Sequence, residues 1–392
     1  MPDDVLGTWK ASLAKGLRAL EQQHQRRTLA EIRGIDFCSN DYLGLSEHPA
    51  MKQAVLRAVE NASRVGGTAS RLLSGQTVAW RRLEEEFAKF AGTEAALFFS
   101  SGYAANLGLL SALVGKDDVV YSDVLNHASL IDGMRLSGAR KVIYPHCDLT
   151  ALENLLRQDA GAPWRRIIVT ESVFSMNGDV APLQETAVLA EKYGAAMIVD
   201  EAHATGVQGT AGRGLAAETG ILPHVLATIH TCGKALASAG AFVCGPTVMK
   251  DYLVNHARTF IFSTALPPYF AEQIREALKL IIGMDEERQT LLQRASRFNA
   301  ALRKAGFATD GSTSQIVPVV LGSNEDTLQA AEQLQKAGFA VRAIRPPTVP
   351  AGKSRLRLSL TIKIAEEELT RLVKCLVDWR QGKNVLTAAI LA

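Results

Sequence analysis

Short apolar runs alternate with longer amphipathic stretches through the middle of the chain. The apolar runs have the length of strands and lie at residues 95–99, 119–121, 142–144, 167–170, 197–199, 228–230 and 241–244. Helix-length segments such as residues 182–193 separate them. Because these runs are apolar throughout and alternate with helices, they predict an α/β fold with a mostly parallel central sheet and helices on both faces. Ligands of such sheets bind beyond the carboxyl ends of the strands.

The pattern changes near residue 285. A predicted helix at 286–305 is followed by short strands, an amphipathic helix near 327–336, strands at 340–344 and 355–360, and a terminal helix through Trp379. This order predicts a smaller α+β domain packed on the large one. We therefore divide the chain into an N-terminal arm (residues 1–45), a large domain (46–285) and a small C-terminal domain (286–392).

The N-terminal arm carries apolar residues at helical spacing: Leu6, Trp9, Leu13, Leu17 and Leu20. This stripe predicts an amphipathic helix that docks on the body of the protein. The rival interpretation is an organelle transit peptide, which the acidic residues of the same segment oppose.

Composition narrows the range of functions. The length of 392 residues exceeds the roughly 250–300 residues of a single core, which agrees with two domains. The net charge of +3 opposes a nucleic acid or a membrane as the main partner, and no apolar stretch approaches the ~18 residues of a membrane span. The five cysteines form no Cys-x-x-Cys pair, so we expect reduced thiols in a cytoplasmic protein, without a disulfide framework or a metal site.

Two polar residues stand out because each follows a predicted buried strand. Asp200 ends the run Ala195-Ala-Met-Ile-Val-Asp200, and Lys234 lies among small and apolar residues after the strand at 228–230. A lysine and a carboxylate at one edge of a sheet are what pyridoxal phosphate requires, since the lysine holds its aldehyde as a Schiff base and the acid keeps its ring nitrogen protonated. The alternatives are a helix N-cap for Asp200 and a surface position for Lys234.

Further segments extend this pattern over nearly the whole chain. They are Ser39-Asn-Asp-Tyr-Leu-Gly-Leu45, Ser70-Arg-Leu-Leu-Ser-Gly75, Asn126-His-Ala-Ser129, Thr170-Glu-Ser-Val-Phe-Ser-Met176, Ser263-Thr-Ala-Leu-Pro-Pro268 and Ile344-Arg-Pro-Pro-Thr-Val-Pro350. Together with Asp200-Glu-Ala-His203 and Thr231-x-x-Lys234 they resemble the α-oxoamine synthases, a family of fold-type-I pyridoxal-phosphate enzymes. The resemblance implies the fold of those transferases and a decarboxylative condensation of an amino acid with an acyl thioester.

The resemblance also implies the residues of the reaction centre. Lys234 carries the cofactor and acts as the base at Cα, while Asp200 pairs with the ring nitrogen. His127 stacks on the pyridine ring, and His203 and Ser175 contact its phenolic oxygen. We therefore expect Lys234, Asp200, His127 and His203 to be catalytic. The alternatives are a structural role for His127 and a turn hydroxyl for Ser175.

The phosphate of the cofactor needs hydrogen-bond donors that are not blocked by bulky side chains. Ser101, Gly102 and Tyr103 follow a predicted strand and open a helix, so backbone N–H groups and the helix dipole face a dianion there. Thr231 supplies a hydroxyl just before the lysine. In the family, the counterpart of Thr264 comes from the neighbouring subunit, which implies a homodimer with a shared active site.

For the carboxylate of the amino acid we expect Arg357, because arginine binds a carboxylate through two parallel hydrogen bonds. The alternation in Arg355-Leu-Arg-Leu-Ser-Leu360 predicts a half-buried strand, and a solvated face explains Arg355 better than Arg357. By resemblance, Asn40 is a second carboxylate contact. Arg345 and Thr348 are expected near the reacting carbonyl group.

Within the family, the residues favour condensation of L-alanine with pimeloyl-CoA, a step of biotin biosynthesis. Other branches resemble one another in having Tyr at the position of Pro346, and Ser70 stands where aminolevulinate synthases carry a larger Thr. Arg26 and Arg27 of the arm are candidates for the tail carboxylate of the acyl chain, although a solvated basic face explains them nearly as well.

Several alternatives remain. The first is a synthase that joins serine to a long acyl-CoA, and the acyl carrier, CoA or acyl carrier protein, stays open. A non-catalytic partner subunit of the same fold typically lacks the lysine, which this chain has. A nicotinamide-dependent oxidoreductase requires a Gly-x-Gly-x-x-Gly loop after the first strand, which is absent from the sequence.

Overall fold

The computed structural model describes residues 5–31 and 33–391, with side chains described as far as residue 382. The strands are β1 (Ile35–Asp36), β2 (Ala95–Phe99), β3 (Asp118–Asp123), β4 (Arg140–Tyr144), β5 (Arg165–Glu171), β6 (Ala195–Asp200), β7 (Val225–Thr231), β8 (Ala241–Gly245), β9 (Ile316–Gly322), β10 (Phe339–Ala340), β11 (Ala343–Ile344) and β12 (Ser354–Ser359). The helices are α1 (Val5–Gln22), α2 (Pro49–Glu60), α3 (Val78–Ala91), α4 (Gly102–Leu113), α5 (Ala128–Ser137), α6 (Leu149–Gln158), α7 (Leu183–Lys192), α8 (Leu215–Glu218), α9 (Thr247–His256), α10 (Arg258–Ile261), α11 (Tyr269–Ile282), α12 (Asp285–Lys304), α13 (Asn324–Lys336) and α14 (Glu366–Leu391). Within these residues, no helix is both long enough and apolar enough to cross a membrane.

The centre of the large domain is a seven-stranded sheet with the order β2-β8-β7-β6-β5-β3-β4. The strands from β7 to β4 are parallel to one another, whereas β8 runs antiparallel to both of its neighbours. All of the strands predicted for this region are present. The prediction of an α/β fold with a mostly parallel central sheet is therefore confirmed.

Helices cover both faces of this sheet, which is why its strands are apolar throughout. In β5, Val169 belongs to the core with Leu109 of α4 and Leu130 of α5. The preceding residue, Ile168, points to the other face and belongs to the core with Leu152 of α6. Successive residues of a strand point to opposite faces, so a sheet buried on both sides needs an unbroken apolar run.

The carboxyl ends of three neighbouring strands meet at one edge of the sheet. Strand β5 ends at Glu171, β6 at Asp200 and β7 at Thr231. Glu171 and Asp200 are directly paired in the register of β5 and β6, and Asp200 is paired with Ile229 of β7. Polar residues therefore follow the buried strands at the edge where ligands of such sheets bind.

The small domain contains a three-stranded antiparallel sheet with the order β11-β12-β9, together with α12, α13 and α14. The prediction of one strand at residues 340–344 is wrong. The chain instead forms two short strands, because β10 pairs with β1 of the arm and β11 pairs with β12.

The prediction that β12 is half-buried, with a solvated Arg355, is also wrong. Every residue of β12 is buried, since the strand lies against the loop at residues 175–179 of the large domain. Arg355 forms an ion pair with Asp310 at 3.0 Å and donates to Asn177 Oδ1 at 2.7 Å. Partners on both domains therefore satisfy this buried guanidinium.

The N-terminal arm forms the predicted helix, α1, but its apolar stripe does not pack on the body of the same chain. Leu6, Trp9 and Leu13 are 64%, 64% and 63% exposed. The rest of the arm is integrated, since Phe37 and Tyr42 are buried in the core shared by the two domains. The arm, large domain and small domain remain our proposed division, and the break between α11 and α12 falls at the boundary proposed near residue 285.

Helix α3 packs on the central sheet through the ring of Phe87. The ring of Phe87 lies parallel to the ring of Phe242 of β8 at 3.8 Å between centroids and contacts His230 of β7 edge-on at 5.6 Å. All three residues are buried. This packing fixes α3 against the two strands that lead to and from the loop of Lys234.

We expect Phe87→Ala to lower the free energy of unfolding by about 3–5 kcal/mol, because truncating a buried aromatic ring leaves a cavity. Guanidinium unfolding of the apoprotein, followed by tryptophan fluorescence, measures this change. Val188→Ala, at an exposed position of α7, is the control and should change stability by less than about 0.5 kcal/mol. Equal shifts for the two variants would contradict the role assigned to this ring.

Candidate active site

A cavity of about 430 Å³ lies at the carboxyl edge of the sheet. Its walls come from the ends of β6 and β7, the N-terminus of α4 and the loop before α5. The predicted site residues that line it are Ser101, Gly102, Tyr103, His127, Asp200, His203, Thr231 and Lys234. Segments far apart in sequence therefore converge on one space.

Lys234 lies in the loop after β7, held by its buried neighbours Cys232, Ala235 and Leu236. Burial lowers the pKa of its amine to about 8, although Asp200 and Glu171 oppose this shift. Desolvation penalises the charged form of an amine, so a useful fraction is neutral near physiological pH. A neutral amine in a cavity acts as a nucleophile or as a base.

Asp200 is oriented by a chain of polar groups that reaches His127. Its Oδ2 accepts a hydrogen bond from Asn106 Nδ2 at 2.7 Å, and its Oδ1 accepts one from the backbone N–H of Ala202 at 2.9 Å. Asn106 also donates to Ser129 Oγ at 2.9 Å, which lies 2.7 Å from His127 Nδ1. Burial lowers the pKa of His127 more than the neighbouring Asp200 raises it. The network couples the acid to the histidine across the cavity.

His127 is held in one tautomer by the start of α5. Its Nδ1 accepts from the backbone N–H of Ser129 at 3.3 Å. In the neutral imidazole, the proton is therefore on Nε2. This nitrogen is the donor that His127 offers to a ligand.

His203 is fully enclosed at the back of the cavity. Its Nδ1 lies 2.7 Å from the hydroxyl of Tyr42, which donates to Asn40 Oδ1 at 3.0 Å. Burial, together with the nearby cations Lys234 and Arg357, holds the pKa of His203 well below its usual range. The imidazole is therefore neutral and hydrogen-bonds without carrying charge.

The N-terminus of α4, which the sequence predicts as the phosphate site, also lines the cavity. Ser101 caps this helix, with its Oγ accepting from the backbone N–H three residues on at 3.0 Å. A Cβ on Gly102 would lie 2.6 Å from Cγ2 of Thr231, so the close packing of Thr231 on the start of α4 requires glycine here. The hydroxyl of Tyr103, which also lines the cavity, donates to Asp132 on α5. Unpaired N–H groups at a helix N-terminus bind phosphate.

Arg357 of β12 brings a buried cation from the small domain to the same region. It is 9% exposed, and it donates to Ser175 O at 2.5 Å, Asn40 Oδ1 at 3.1 Å and Ser359 Oγ at 2.6 Å. Within the described part of the chain, no acidic side chain forms an ion pair with Arg357. A buried guanidinium without a counter-ion is suited to the carboxylate of a ligand.

A second cavity of about 890 Å³ adjoins the first and shares His127 with it. Its walls include Val124, Phe174, Ser175, Thr348, Lys353 and Arg355. Apolar and cationic groups therefore line a space that reaches His127.

Arg345, Arg26 and Arg27 lie outside both cavities. Arg345 donates to the backbone carbonyl oxygens of residues 24 and 26, and Arg26 forms an ion pair with Glu21 at 2.8 Å. Arg27 donates to Thr348 Oγ1 at 3.2 Å, and Thr348 lines the second cavity. The arm and the loop at residues 345–350 thus brace each other, and the predicted substrate contacts of these arginines stay predictions.

Thr264 also lies away from the Lys234 cavity of its own chain. It is bridged to Ser70 and exposed, beside the exposed side chains of Leu73 and Phe262. This placement is compatible with a role in a neighbouring subunit.

Three groups of the site were not predicted from the sequence. Glu171 lines the cavity at 3% exposure, Asn106 holds Asp200, and Tyr42 holds His203. Asn106 had a detectable signal, since it is an asparagine in the otherwise apolar helix α4. Glu171 and Tyr42 stood inside quoted motifs without an assigned role.

The lining of the first cavity fits pyridoxal phosphate. Glu171 Oε1 and Asn106 Oδ1 are buried without a hydrogen-bond partner among the described residues, and both residues line the cavity. Gly102 and Thr231 line the same cavity, and the amine of Lys234 is available there for an aldehyde. Buried polar groups that are costly to leave unpaired gain partners from such a ligand.

Residues 32–376 match the family model described as aminotransferase class I and II. The chain belongs to this family. It is 46% identical to the 8-amino-7-oxononanoate synthase of Geobacter sulfurreducens over 95% of each chain. The structure of 8-amino-7-oxononanoate synthase from Francisella tularensis aligns with a TM-score of 0.78 at 29% identity, covering 90% of this chain and 99% of that one. The serine palmitoyltransferase of S. paucimobilis with bound pyridoxal phosphate and myriocin aligns with a TM-score of 0.88 at 27% identity, covering 97% and 100%.

These relationships confirm the family predictions. Family members share the fold-type-I architecture predicted from the sequence, and the curated relatives are α-oxoamine synthases of the branch that the residues favoured. The serine-using branch appears among the structural neighbours at lower identity.

Glu171 generates a prediction for stability against pH. Burial, then the adjacent Asp200, raise the pKa of the Glu171 carboxyl to about 8, with Lys234 opposing. Its folded pKa lies above the unfolded value of about 4.3, so the stability it contributes is complete below that value and is lost as pH rises through about 8. We expect the melting temperature of the apoprotein to fall more steeply between pH 5 and pH 9 than that of Glu171→Gln, which is neutral throughout.

Differential scanning fluorimetry across this pH range makes the comparison. Glu185→Gln, an exposed glutamate of α7, is the matched control and should follow the unmodified protein. Parallel curves for Glu171→Gln and the unmodified protein would show that Glu171 titrates at an ordinary pKa.

Proposed function

We propose that this protein catalyses the decarboxylative condensation of L-alanine with pimeloyl-CoA, giving 8-amino-7-oxononanoate, CoA and carbon dioxide. The observation that carries the proposal is the convergence of Lys234, Asp200 and His127 on one cavity, near a buried Arg357 that has no acidic partner among the described residues. Relatives at 42–46% identity that are named 8-amino-7-oxononanoate synthase support the choice of reaction.

The residues of the first cavity would hold pyridoxal 5'-phosphate. The N-terminus of α4 and Thr231 would bind its phosphate, His127 would stack on its ring, and Asp200 would pair with its ring nitrogen. When bound, the cofactor withdraws electrons from the Cα of the amino acid. The backbone N–H of Ser175 donates to Glu171 Oε2 at 3.3 Å and its carbonyl accepts from Arg357, and the residue lines the adjoining second cavity.

Lys234 moves the proton at Cα. Its amine has a pKa of about 8, so it accepts a proton near neutral pH and returns it. His203 stays neutral beside it and adds no repulsion when the amine is charged.

Arg357 and Asn40 orient the amino acid. The guanidinium already has one hydrogen bond to Asn40, and a substrate carboxylate would supply the counter-ion that the described residues do not provide. Binding the carboxylate there fixes which bonds at Cα face Lys234 and His127.

The second cavity would accept the acyl thioester. It begins at His127 and passes Thr348. We also propose that Arg26, Arg27 and Arg345 influence binding of the acyl substrate. Their contact with the loop that carries Thr348 supports an indirect influence on the shape of this cavity.

A serine- and palmitoyl-CoA-using synthase is the second candidate. The similarity of this fold to the serine palmitoyltransferase of S. paucimobilis, and the volume of about 890 Å³, favour it. The 46% identity to an 8-amino-7-oxononanoate synthase, against 27% to that transferase, favours the first.

A substrate matrix separates the candidates. Protein loaded with pyridoxal phosphate is given alanine, serine or glycine, each with pimeloyl-, palmitoyl- or succinyl-CoA, while thiol release is followed. We expect turnover with alanine and pimeloyl-CoA, and none from Lys234→Ala, which loses the base. Turnover with serine and palmitoyl-CoA instead would overturn the assignment of substrates but not that of the cofactor.

We also propose that the enzyme is a cytoplasmic homodimer with shared active sites. All five cysteines are unpaired, which suits a reducing compartment. The exposed position of Thr264 beside Leu73 and Phe262, and the exposed stripe of α1, supply apolar surface for a second copy.

Mixed dimers test the sharing of the site. Subunits carrying Lys234→Ala, mixed with subunits carrying Thr264→Ala, would form heterodimers in which one site has both native residues. We expect the mixture to regain activity and cofactor affinity that neither parent shows. Activity equal to the mean of the two parents would place Thr264 outside the partner's site.

A further inference from the structure

His146 follows β4, and each of its ring nitrogens is hydrogen-bonded to a carboxylate. Its Nδ1 is 3.0 Å and 3.1 Å from the two carboxyl oxygens of Asp123, and its Nε2 is 2.5 Å from Asp179 Oδ2. A carboxylate accepts hydrogen bonds and donates none, so each ring nitrogen carries a proton and the ring is an imidazolium. The two neighbouring acids also raise the pKa of His146 to about 12, against the opposing effect of its burial.

One of these carboxylates belongs to the segment that ends at His127. Asp123 closes β3, and its Oδ1 accepts from the backbone N–H of Leu125 at 2.8 Å, while its backbone carbonyl accepts from the N–H of Asn126 at 3.2 Å. It therefore shapes the turn that presents His127 to both cavities.

The other carboxylate belongs to the loop that carries Ser175. The backbone carbonyl of Asp179 accepts from the N–H of Phe174 at 3.0 Å, and the ring of Phe174 meets the ring of His146 edge-on at 4.4 Å. Arg357 holds the same loop from the small-domain side through Ser175 O.

These two segments both line the second cavity. The lining residues include 124–128 from the first segment and 174–177 from the second. The His146 ring bonds to both segments outside the cavity. It touches neither of the spaces assigned to cofactor and substrate.

We propose that His146 is a positioning residue, a charged bridge that fixes the spacing of the His127 and Ser175 segments and so the width of the acyl cavity. This inference rests on the proposed function for the roles of His127 and Ser175. The bridge itself is a property of the apoprotein and is testable without cofactor.

The sulfur of Cys147 lies 3.8 Å from His146 Nε2, and together with Asp123 these residues have the spacing of a metal site. A metal ion on the ring would require loss of a ring proton and of one carboxylate bond. Stoichiometric zinc or another divalent ion in the purified protein would therefore overturn the proposal.

The first measurement is made on the apoprotein. Nitrogen-15 NMR of histidine-labelled protein should show one ring with both nitrogens protonated at pH 9, and His146→Gln should remove that signal. Amide hydrogen exchange should become faster in residues 124–127 and 173–178 of this variant. A ring at position 146 that loses a proton below pH 9 would overturn the proposal.

The second measurement is made with cofactor and substrates. For His146→Gln we expect the Kd of pyridoxal phosphate to rise about tenfold and kcat with pimeloyl-CoA to fall about 10- to 100-fold, because small displacements of a reacting group are costly. Asp179→Asn, which frees one side of the ring, should shift the same quantities by a smaller factor. His224→Gln, at an exposed position, is the control and should change neither.

A lower melting temperature for His146→Gln with unchanged Kd, kcat and loop exchange would reduce His146 to a structural role and overturn the proposal. Failure of the unmodified enzyme to turn over any substrate pair is a different outcome. It would remove the proposed function, while the NMR and exchange measurements would still decide whether the bridge exists.

Discussion

The register of β5 against β6 is the constraint on which the site depends. It sets Glu171 directly beside Asp200 at the ends of two buried strands, with the amine of Lys234 in the same cavity. Two adjacent carboxyl groups out of water are costly, and raising the pKa of Glu171 relieves part of that cost. The sheet thereby places a protonated acid, a second acid and a readily neutralised amine within one cavity.

Around this centre, Asp200 and His203 are each oriented by hydrogen bonds to other protein groups. Asn106 and Ser129 connect Asp200 to His127, while Tyr42 and Asn40 connect His203 to Arg357. The first chain of groups belongs to the large domain, and the second joins the arm to the small domain. The groups proposed to serve the cofactor thus lie in the large domain, whereas those proposed to orient the substrate come from the arm and the small domain. The two sets meet at His203 and Ser175.

The loop at residues 174–179 connects the large domain to the small domain through its contacts. Arg355 and Arg357 of β12 hold it from the small domain, and His146 holds it from the sheet edge. All three contacts involve a cation against an oxygen acceptor, which makes them stronger than hydrogen bonds between neutral groups. A loop anchored from both sides keeps a defined shape although it carries no regular secondary structure.

The amino-acid sequence by itself determined the central sheet, the order of its strands along the chain, and the residues at their carboxyl ends. Unbroken apolar strands that alternate with helices form a parallel sheet covered on both faces. The pattern alone was therefore sufficient to place Asp200 and Lys234 at the carboxyl edge of that sheet. Tertiary structure alone decided that residues 340–344 form two strands, because β10 and β11 pair in different sheets. It also buried Arg355 and brought Asn106 to Asp200. Those outcomes depend on contacts between segments far apart in sequence, and local periodicity carries no information about such partners.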